Sequence, residues 1–222
     1  MDLPQRIDQV EARIQSAIKR SGRRRDEITL VAVTKKFSAE VVREAYSLGL
    51  RVFGENYVQE FVSKQPALSD LHDAQFHLIG HLQSNKSRVA SELFGVIETV
   101  DSTKLARRLN DEHKQLEVMI EVKLSSEDAK AGSAPEELPD LIDGIRSCEY
   151  LHLTGLMTMP PWDENPEHTR PYFRELAQLA RQHNLPKLSM GMSHDLETAI
   201  EEGATHVRVG TALFGPRPKP GA

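Results

Sequence analysis

The sequence predicts an α/β protein whose strands close into a (β/α)8 barrel, the TIM-barrel fold. Eight short apolar runs alternate with longer amphipathic runs along the chain, and strands that alternate with helices form a parallel sheet. The 222 residues suit a single barrel domain, for which roughly 250 residues are typical. We therefore expect one domain over residues 1–222, with an extra N-terminal helix at about residues 4–20 and the barrel at about residues 28–215.

The leading helix is predicted from apolar residues that recur at three- and four-residue steps. Ile7, Val10, Ile14 and Ile18 share one face, and Pro4 fits a first helical turn. The apolar runs that follow predict strands at Ile28–Thr34, Arg51–Gly54, Phe76–Ile79, Gly95–Thr99, Glu117–Lys123, Leu151–Leu156, Lys187–Met190 and His206–Val209. The amphipathic runs between them predict helices at Ala39–Leu48, Tyr57–Lys64, Lys86–Leu93, Ser102–Glu112, Pro135–Ile145, Glu167–His183 and Leu196–Glu201.

The eighth helix is the weak element of this pattern. Only Pro216–Ala222 remains for it, and this segment contains three prolines. Because proline lacks the N–H that a helix interior requires, a short hook or a frayed tail is expected there.

Composition excludes several classes of partner. Hydrophobic residues make up 39% of the chain, charged residues 27%, and the net charge is −5, which favours neither nucleic acid nor a membrane surface. Cys148 is the only cysteine, so no disulfide forms within the chain and a reducing compartment is compatible. There is no long apolar stretch, and the N-terminus is too charged for a signal peptide, so we expect a cytoplasmic protein.

A lysine follows the first predicted strand, at the end of the barrel where function collects. Side chains alternate along a strand, so Lys35 shares the face of Val31 and Val33, whereas Lys36 shares that of Ala32. Partial burial at a barrel mouth favours the neutral amine that attacks an aldehyde. The alternative is a strand-end lysine that only faces solvent.

The last two strands predict a phosphate site. Ser193 follows strand seven, and Gly210 and Thr211 follow strand eight. The loops after these two strands are the usual phosphate site of such barrels, although Ser193 would also serve as a plain helix N-cap. Arg208 lies two residues before Gly210 and is placed to face a ring nitrogen. A reactive lysine beside a phosphate site indicates pyridoxal phosphate.

Two other polar features have competing interpretations. His77 and His81 are four residues apart, but the metal-ligand spacing needs a continuous helix and Gly80 interrupts it; we expect no metal site. Lys130, in the polar loop after strand five, is either an electrostatic lid or a solvated charge.

Together these motifs resemble the pyridoxal phosphate homeostasis family, whose members are related to the barrel of alanine racemase. The resemblance runs from about Val10 to Phe214. It rests on the motifs Ala-Val-Thr-Lys35, Phe53-Gly-Glu-Asn-Tyr-Val-Gln-Glu60, His-Leu-Gln-Ser-Asn-Lys86, Gly-Leu-Met157, Ser-Met-Gly-Met-Ser193 and Arg208-Val-Gly-Thr-Ala-Leu-Phe-Gly215. It implies the fold-type III barrel of pyridoxal phosphate proteins.

The resemblance also implies a role for each matching residue. Lys35 would form a Schiff base with pyridoxal 5'-phosphate, Arg208 would face its pyridine nitrogen, and the phosphate and pocket residues would be Ser193, Gly210, Thr211, Asn56 and Met190. The chain departs from the family pattern in having Lys36 directly after Lys35, and His194 where an aspartate is usual.

An arginine beside the pyridine nitrogen stays protonated and keeps that nitrogen unprotonated. The ring is then a weaker electron sink, which disfavours transamination. A racemase of the resembled type also needs a second acid/base group from a partner subunit whose dimer uses an added β domain, and we expect no such domain here.

The sequence therefore predicts a protein that buffers or delivers the cofactor, with no catalytic residue, as a monomer with transient contacts to pyridoxal phosphate-dependent apoenzymes. A slow amino-acid racemase is the alternative. A barrel enzyme that uses Lys35 on a sugar phosphate without any cofactor is a more distant one.

Overall fold

The computed structural model describes residues 1–125 and 131–216, and it confirms the predicted barrel. Eight parallel strands pair in chain order, and the last pairs with the first. They are β1 (Thr29–Val33), β2 (Val52–Glu55), β3 (Gln75–Leu78), β4 (Val96–Val100), β5 (Leu116–Glu121), β6 (Leu151–Met157), β7 (Lys187–Met192) and β8 (His206–Val209). Each predicted strand overlaps one of these, with ends that differ by at most a few residues.

Helices surround the barrel, one before β1 and one after each strand. They are α1 (Leu3–Ser21), α2 (Ala39–Ser47), α3 (Val58–Lys64), α4 (Ser87–Leu93), α5 (Thr103–Asn110), α6 (Leu138–Arg146), α7 (Arg170–Gln182), α8 (Leu196–Glu201) and α9 (Thr211–Phe214). The predicted helices at 135–145 and 167–183 each begin as a 3-10 turn, at Pro135–Glu137 and Pro166–Thr169. No helix of the described residues combines the length and apolar character that a membrane crossing requires.

The short helix α9 directly follows β8 and was not anticipated from the sequence. The prediction of a hook or frayed tail concerns residues that, from 217 onward, lie outside the described part of the chain, and Lys130 lies outside it as well. The N-terminal helix is present as expected. Its apolar face, Val10, Ile14, Ala17 and Ile18, is buried, and it packs against α8 and α9.

Two buried layers lie on opposite sides of the barrel wall. The outer layer, between strands and helices, is a continuous apolar cluster that includes Phe53, Phe61, Leu105 and Phe173. The buried apolar residues outside this cluster alternate with it along the strands and fill the barrel interior: Val31, Val33, Ile79, Val96, Met119 and Met157. The same interior also buries polar side chains, namely His77, Glu98, Ser189, His206 and Arg208.

Candidate functional site

A cavity of about 270 Å³ opens at the carboxyl ends of the strands. It is lined by Val33, Lys35, Asn56, Ile79, Met159, Trp162, Met192, Ser193, His194, Arg208, Gly210 and Thr211. Six of the seven binding residues predicted from the sequence are in this set. The loops after β1, β2, β7 and β8 therefore bring them to one place, as expected for the carboxyl-terminal face of such a barrel.

Met190 is the predicted residue that the fold does not bring to the cavity. It is fully buried and belongs to the outer apolar cluster, because the neighbouring residue Ser189 faces the barrel interior and side chains alternate along a strand. Met192 lines the cavity instead. A register shift between Ser189 and Met192, together with the positive φ of 87° at Gly191, redirects the end of β7.

The two tandem lysines point in different directions. Lys35 is half-buried and lines the cavity together with Val33, on the side that strand alternation predicts. Lys36 is exposed and borders a separate surface cavity. Its φ of 65° is in the left-handed region, which costs a residue with a Cβ roughly 1–2 kcal/mol. The turn after β1 thus separates the two amines.

Ser193 joins the two loops of the predicted phosphate site. Its Oγ accepts the N–H groups of Gly210 and Ala212, both at 3.2 Å. The plain N-cap alternative does not describe this hydroxyl, because helix α8 has Asp195 at its N-cap and Ser193 meets the start of α9. Its hydroxyl and the adjacent N–H groups therefore lie together at one end of the cavity.

Helix α1 holds the Ser193 loop from outside the barrel. The Arg13 guanidinium donates to the Ser193 carbonyl at 2.7 Å and to both carboxylate oxygens of Glu197 at 2.6 Å. A bidentate pair of this kind fixes the geometry of both partners. The helix that precedes the barrel thus contributes to the site through a backbone contact, which the sequence alone did not indicate.

Arg208 forms the floor of the cavity and is 3% exposed. Its guanidinium donates to Ser189 Oγ at 2.6 Å and to the Thr158 carbonyl at 2.8 Å. Burial lowers the pKa of Arg208, and the charges of Glu98, Glu121 and Asp195 oppose that shift. An arginine remains protonated under such conditions, so it presents a fixed positive charge to the cavity.

A buried carboxylate beneath Arg208 completes this arrangement. Glu98 accepts the Ser189 hydroxyl at 2.5 Å and contacts His77 Nδ1 at 2.7 Å. Burial opposes its ionisation, but the hydrogen bond and charge of His77, with the charge of Arg208, hold the pKa of Glu98 at about 2. Sequence reasoning missed Glu98, although a charged residue inside the apolar run Val96-Ile-Glu-Thr-Val100 is itself a signal of a buried ion pair.

Glu121, at the end of β5, is a second buried carboxyl that the sequence did not single out. It is 3% exposed, and Oε2 has no hydrogen-bond partner among the described residues. Burial raises the pKa of Glu121 to about 7; Arg208 opposes the shift and Asp101 adds to it. Glu121 lines a neighbouring cavity that shares Met159, Trp162 and Met192 with the first.

The two histidines with metal-like spacing lie in different environments. His77 is buried inside the barrel on Glu98, whereas His81 is exposed at the mouth, 3.5 Å from Asp101. The four-residue spacing therefore does not direct the two rings to a common point.

Comparison with known proteins gives consistent results. Residues 6–218 match the family described as the alanine racemase N-terminal domain. The pyridoxal phosphate homeostasis protein of Aquifex aeolicus is 44% identical, over 98% of this chain and 99% of its own length. That of Pseudomonas aeruginosa is 43% identical, over 97% and 96%.

Solved structures agree with the same relationship. PipY of Synechococcus elongatus, in the structure with PLP bound, superposes with a TM-score of 0.84 at 36% identity, covering 96% of this chain and all of that one. An alanine racemase of Clostridium difficile superposes with a TM-score of 0.73 at 14% identity, over 58% of its length. The latter shows a shared fold alone.

Proposed function

Because this chain belongs to the alanine racemase N-terminal domain family and, within it, to the pyridoxal phosphate homeostasis proteins, we propose that it binds pyridoxal 5'-phosphate at Lys35 and buffers or delivers it. Two relatives named pyridoxal phosphate homeostasis protein align with this chain over almost their whole lengths, and PipY has been solved with PLP bound.

The observation that supports the proposal most is the placement of three kinds of polar group around one cavity. Lys35 after β1, the group Ser193, Gly210 and Thr211 after β7 and β8, and the buried Arg208 on β8 all line it. The apolar side chains of Val33, Ile79 and Met192 line the rest. An aldehyde, a phosphate, a ring nitrogen and two ring faces need groups of these kinds.

The residues around the cavity also favour binding over turnover. When bound, pyridoxal phosphate supplies an aldehyde that captures amines and a ring that withdraws electrons. Arg208 is a donor that does not lose its proton, so a ring nitrogen that accepts from it stays unprotonated and the ring withdraws electrons weakly. We therefore propose a cytoplasmic carrier that meets apoenzymes transiently, as a monomer, and turns over no substrate efficiently.

Lys35→Ala tests the attachment, with Lys36→Ala as the matched control one residue away. After incubation with pyridoxal 5'-phosphate and borohydride reduction, mass spectrometry should find the label at position 35 in the wild type and in Lys36→Ala, and none in Lys35→Ala. Trp162 is the single tryptophan and borders the cavity, so its fluorescence should still report weak binding in Lys35→Ala. Full labelling of Lys35→Ala would contradict the proposal.

Carrier and racemase are separated by two assays on the loaded protein. A carrier should restore activity to a pyridoxal phosphate-dependent apoenzyme, while its racemisation of amino acids stays close to that of free cofactor. Racemisation far above free cofactor would overturn the carrier proposal in favour of the slow racemase.

A further inference from the structure

The motif Phe53-Gly-Glu-Asn-Tyr-Val-Gln-Glu60 contains two carboxylates that bind one buried lysine behind β1. Lys64, at the end of α3, is 7% exposed, and its Nζ donates to Glu55 Oε1 at 2.9 Å and lies 2.6 Å from Glu60 Oε1. The Thr34 hydroxyl donates to Glu55 Oε1 at 2.8 Å. We call Thr34, Glu55, Glu60 and Lys64 the Lys64 cluster. It lies outside the cofactor cavity, whose lining includes none of the four.

The Lys64 cluster binds the backbone that carries the two lysines. Lys64 Nζ donates to the Thr34 carbonyl at 2.9 Å, the same carbonyl that accepts the Phe37 N–H at 3.1 Å. Glu60 Oε1 accepts the Lys36 N–H at 2.5 Å. The turn from Thr34 to Phe37 is thus held at its first residue and at the residue with positive φ.

The left-handed conformation of Lys36 explains why the turn needs these hydrogen bonds from the Lys64 cluster. A residue with a Cβ avoids the left-handed region in which Lys36 lies, so without outside contacts the turn would relax. Relaxation would change the direction of both amines, because Lys35 and Lys36 are the two central residues of the turn. A charge-assisted hydrogen bond to the Lys36 N–H is the strongest kind available to a backbone amide.

We propose that the Lys64 cluster is a positioning device that directs the Lys35 amine into the cavity and keeps the Lys36 amine out of it. Glu60 and Lys64 act through the backbone of the turn and do not themselves touch the cavity. The cluster accordingly decides which of two adjacent lysines becomes the attachment point. This inference rests on the proposed attachment at Lys35.

The test compares Glu60→Ala with Glu40→Ala. Both glutamates border the same surface cavity, but the Glu40 side chain hydrogen-bonds Ser38 and not the turn. In Glu60→Ala, the rate of pyridoxal 5'-phosphate attachment at position 35, measured by borohydride trapping and peptide mass spectrometry, should fall by about tenfold, as expected for the loss of one hydrogen bond to a charged group. The share of label on Lys36 should rise, while Glu40→Ala behaves as the wild type.

Two further variants separate positioning from general stability. Glu60→Gln retains an oxygen acceptor for the Lys36 N–H and should keep most of the selectivity for Lys35. Adding Lys36→Gly to Glu60→Ala removes the strain of the left-handed residue and should restore the rate at Lys35 to within about threefold of the wild type, since the turn then forms without help. A role in stability alone predicts no change in the share of label between Lys35 and Lys36 in folded Glu60→Ala.

Acylation of the free protein by acetic anhydride, without cofactor, distinguishes failure of this inference from failure of the proposed function. Glu60→Ala should change the ratio of acylation at Lys35 and Lys36 even if no cofactor ever binds. If the wild type takes no cofactor but this ratio changes, the function is wrong and the positioning stands. If the attachment rate and the ratio in folded Glu60→Ala both match the wild type within twofold, the positioning role is overturned.

Discussion

Glu55 and Glu98 are both fully buried, and each is close to a residue of the proposed site. Glu55 precedes Asn56 in the chain, and Glu98 is linked to Arg208 through the Ser189 hydroxyl. Their pKa values nevertheless move in opposite directions. The pKa of Glu98 is lowered to about 2. The pKa of Glu55 is raised, because burial outweighs the charge and hydrogen bond of Lys64 and the hydrogen bond of Thr34. Burial by itself therefore does not determine the charge of a carboxyl group.

Each of the two carboxylates contacts two side-chain donors, but the donors are arranged differently. Inside the barrel, Glu98 alone binds His77 and Ser189, and Arg208 reaches it through the Ser189 hydroxyl. Behind β1, one lysine is shared by the two carboxylates Glu55 and Glu60, and Glu55 Oε2 is left without a partner among the described residues. A buried anion with a partner on each oxygen is stabilised more than one whose second oxygen is unpaired and whose cation also binds another carboxylate.

The two groups also control different parts of the site. The chain from Glu98 through Ser189 ends on a side chain, the Arg208 guanidinium, whereas the Lys64 cluster ends on the backbone around Lys35. The Arg208 guanidinium and the turn that carries Lys35 are thus held by separate buried networks on opposite sides of the barrel wall.

The largest expected effect is that of Glu98→Gln. Removing this anion takes away the counter-charge that acts most strongly on the buried Arg208, and breaking a buried pair from one side costs about 3–5 kcal/mol of the free energy of unfolding. Urea unfolding of the wild type and of Glu98→Gln at pH 7 measures this loss of stability.

The pH dependence of this loss has a definite sign. Because the folded pKa of Glu98 is lowered from 4.5 to about 2, its stabilisation is present above pH 4.5 and disappears as the pH falls through 2. The difference in free energy of unfolding between the wild type and Glu98→Gln should therefore become smaller as the pH is lowered toward 3. A difference below about 1 kcal/mol at pH 7 would show that Arg208 does not depend on this anion.

Glu121→Gln should change the free energy of unfolding by an intermediate amount, and it should stabilise the protein where Glu98→Gln destabilises it. The folded pKa of Glu121 is raised from 4.5 to about 7, so between these pH values the unfolded chain ionises while the native carboxyl stays protonated, and the stability falls as the pH rises through this window. The amide resembles the protonated acid, and at pH 8 the variant should be more stable by about 1–2 kcal/mol, with little difference at pH 5.

Glu117→Gln, on the same strand, is the matched control for Glu121→Gln. Although burial acts in the other direction, hydrogen bonds from Lys187 and Thr154 lower the pKa of Glu117, so this variant should lose stability at pH 8. Thermal unfolding of both variants at pH 5 and pH 8 tests the pair, and a destabilised Glu121→Gln at pH 8 would contradict the burial argument.

Glu55→Gln should have the smallest effect. The native environment already disfavours the Glu55 anion, and Lys64 retains Glu60, so the free energy of unfolding should change by less than about 1 kcal/mol at pH 7. Because the folded pKa of Glu55 is raised, the wild type loses stability relative to the variant as the pH rises above 4.5. A loss as large as that of Glu98→Gln would remove the contrast between the two networks.

Local patterns predicted much of the site because they concern neighbouring residues of one strand. Alternation along β1 assigned Lys35 to the cavity side, and the loops after β7 and β8 were identified from their position in the repeat. Met190 was assigned to the pocket from the resemblance to the family, whereas the register shift at the end of β7 brings Met192 to the cavity.

The sequence by itself determined the eight strands, the helices between them and which of Lys35 and Lys36 lines the cavity, because each follows from the spacing of residues a few positions apart. Only the tertiary structure decided which polar side chains meet inside the barrel. Ser189 and Glu98 are 91 residues apart and meet across the closed cylinder, and Arg13 reaches the Ser193 loop from a helix that precedes β1. Such pairs depend on barrel closure and on the direction of each side chain. The spacing of apolar residues along the sequence does not predict either of these.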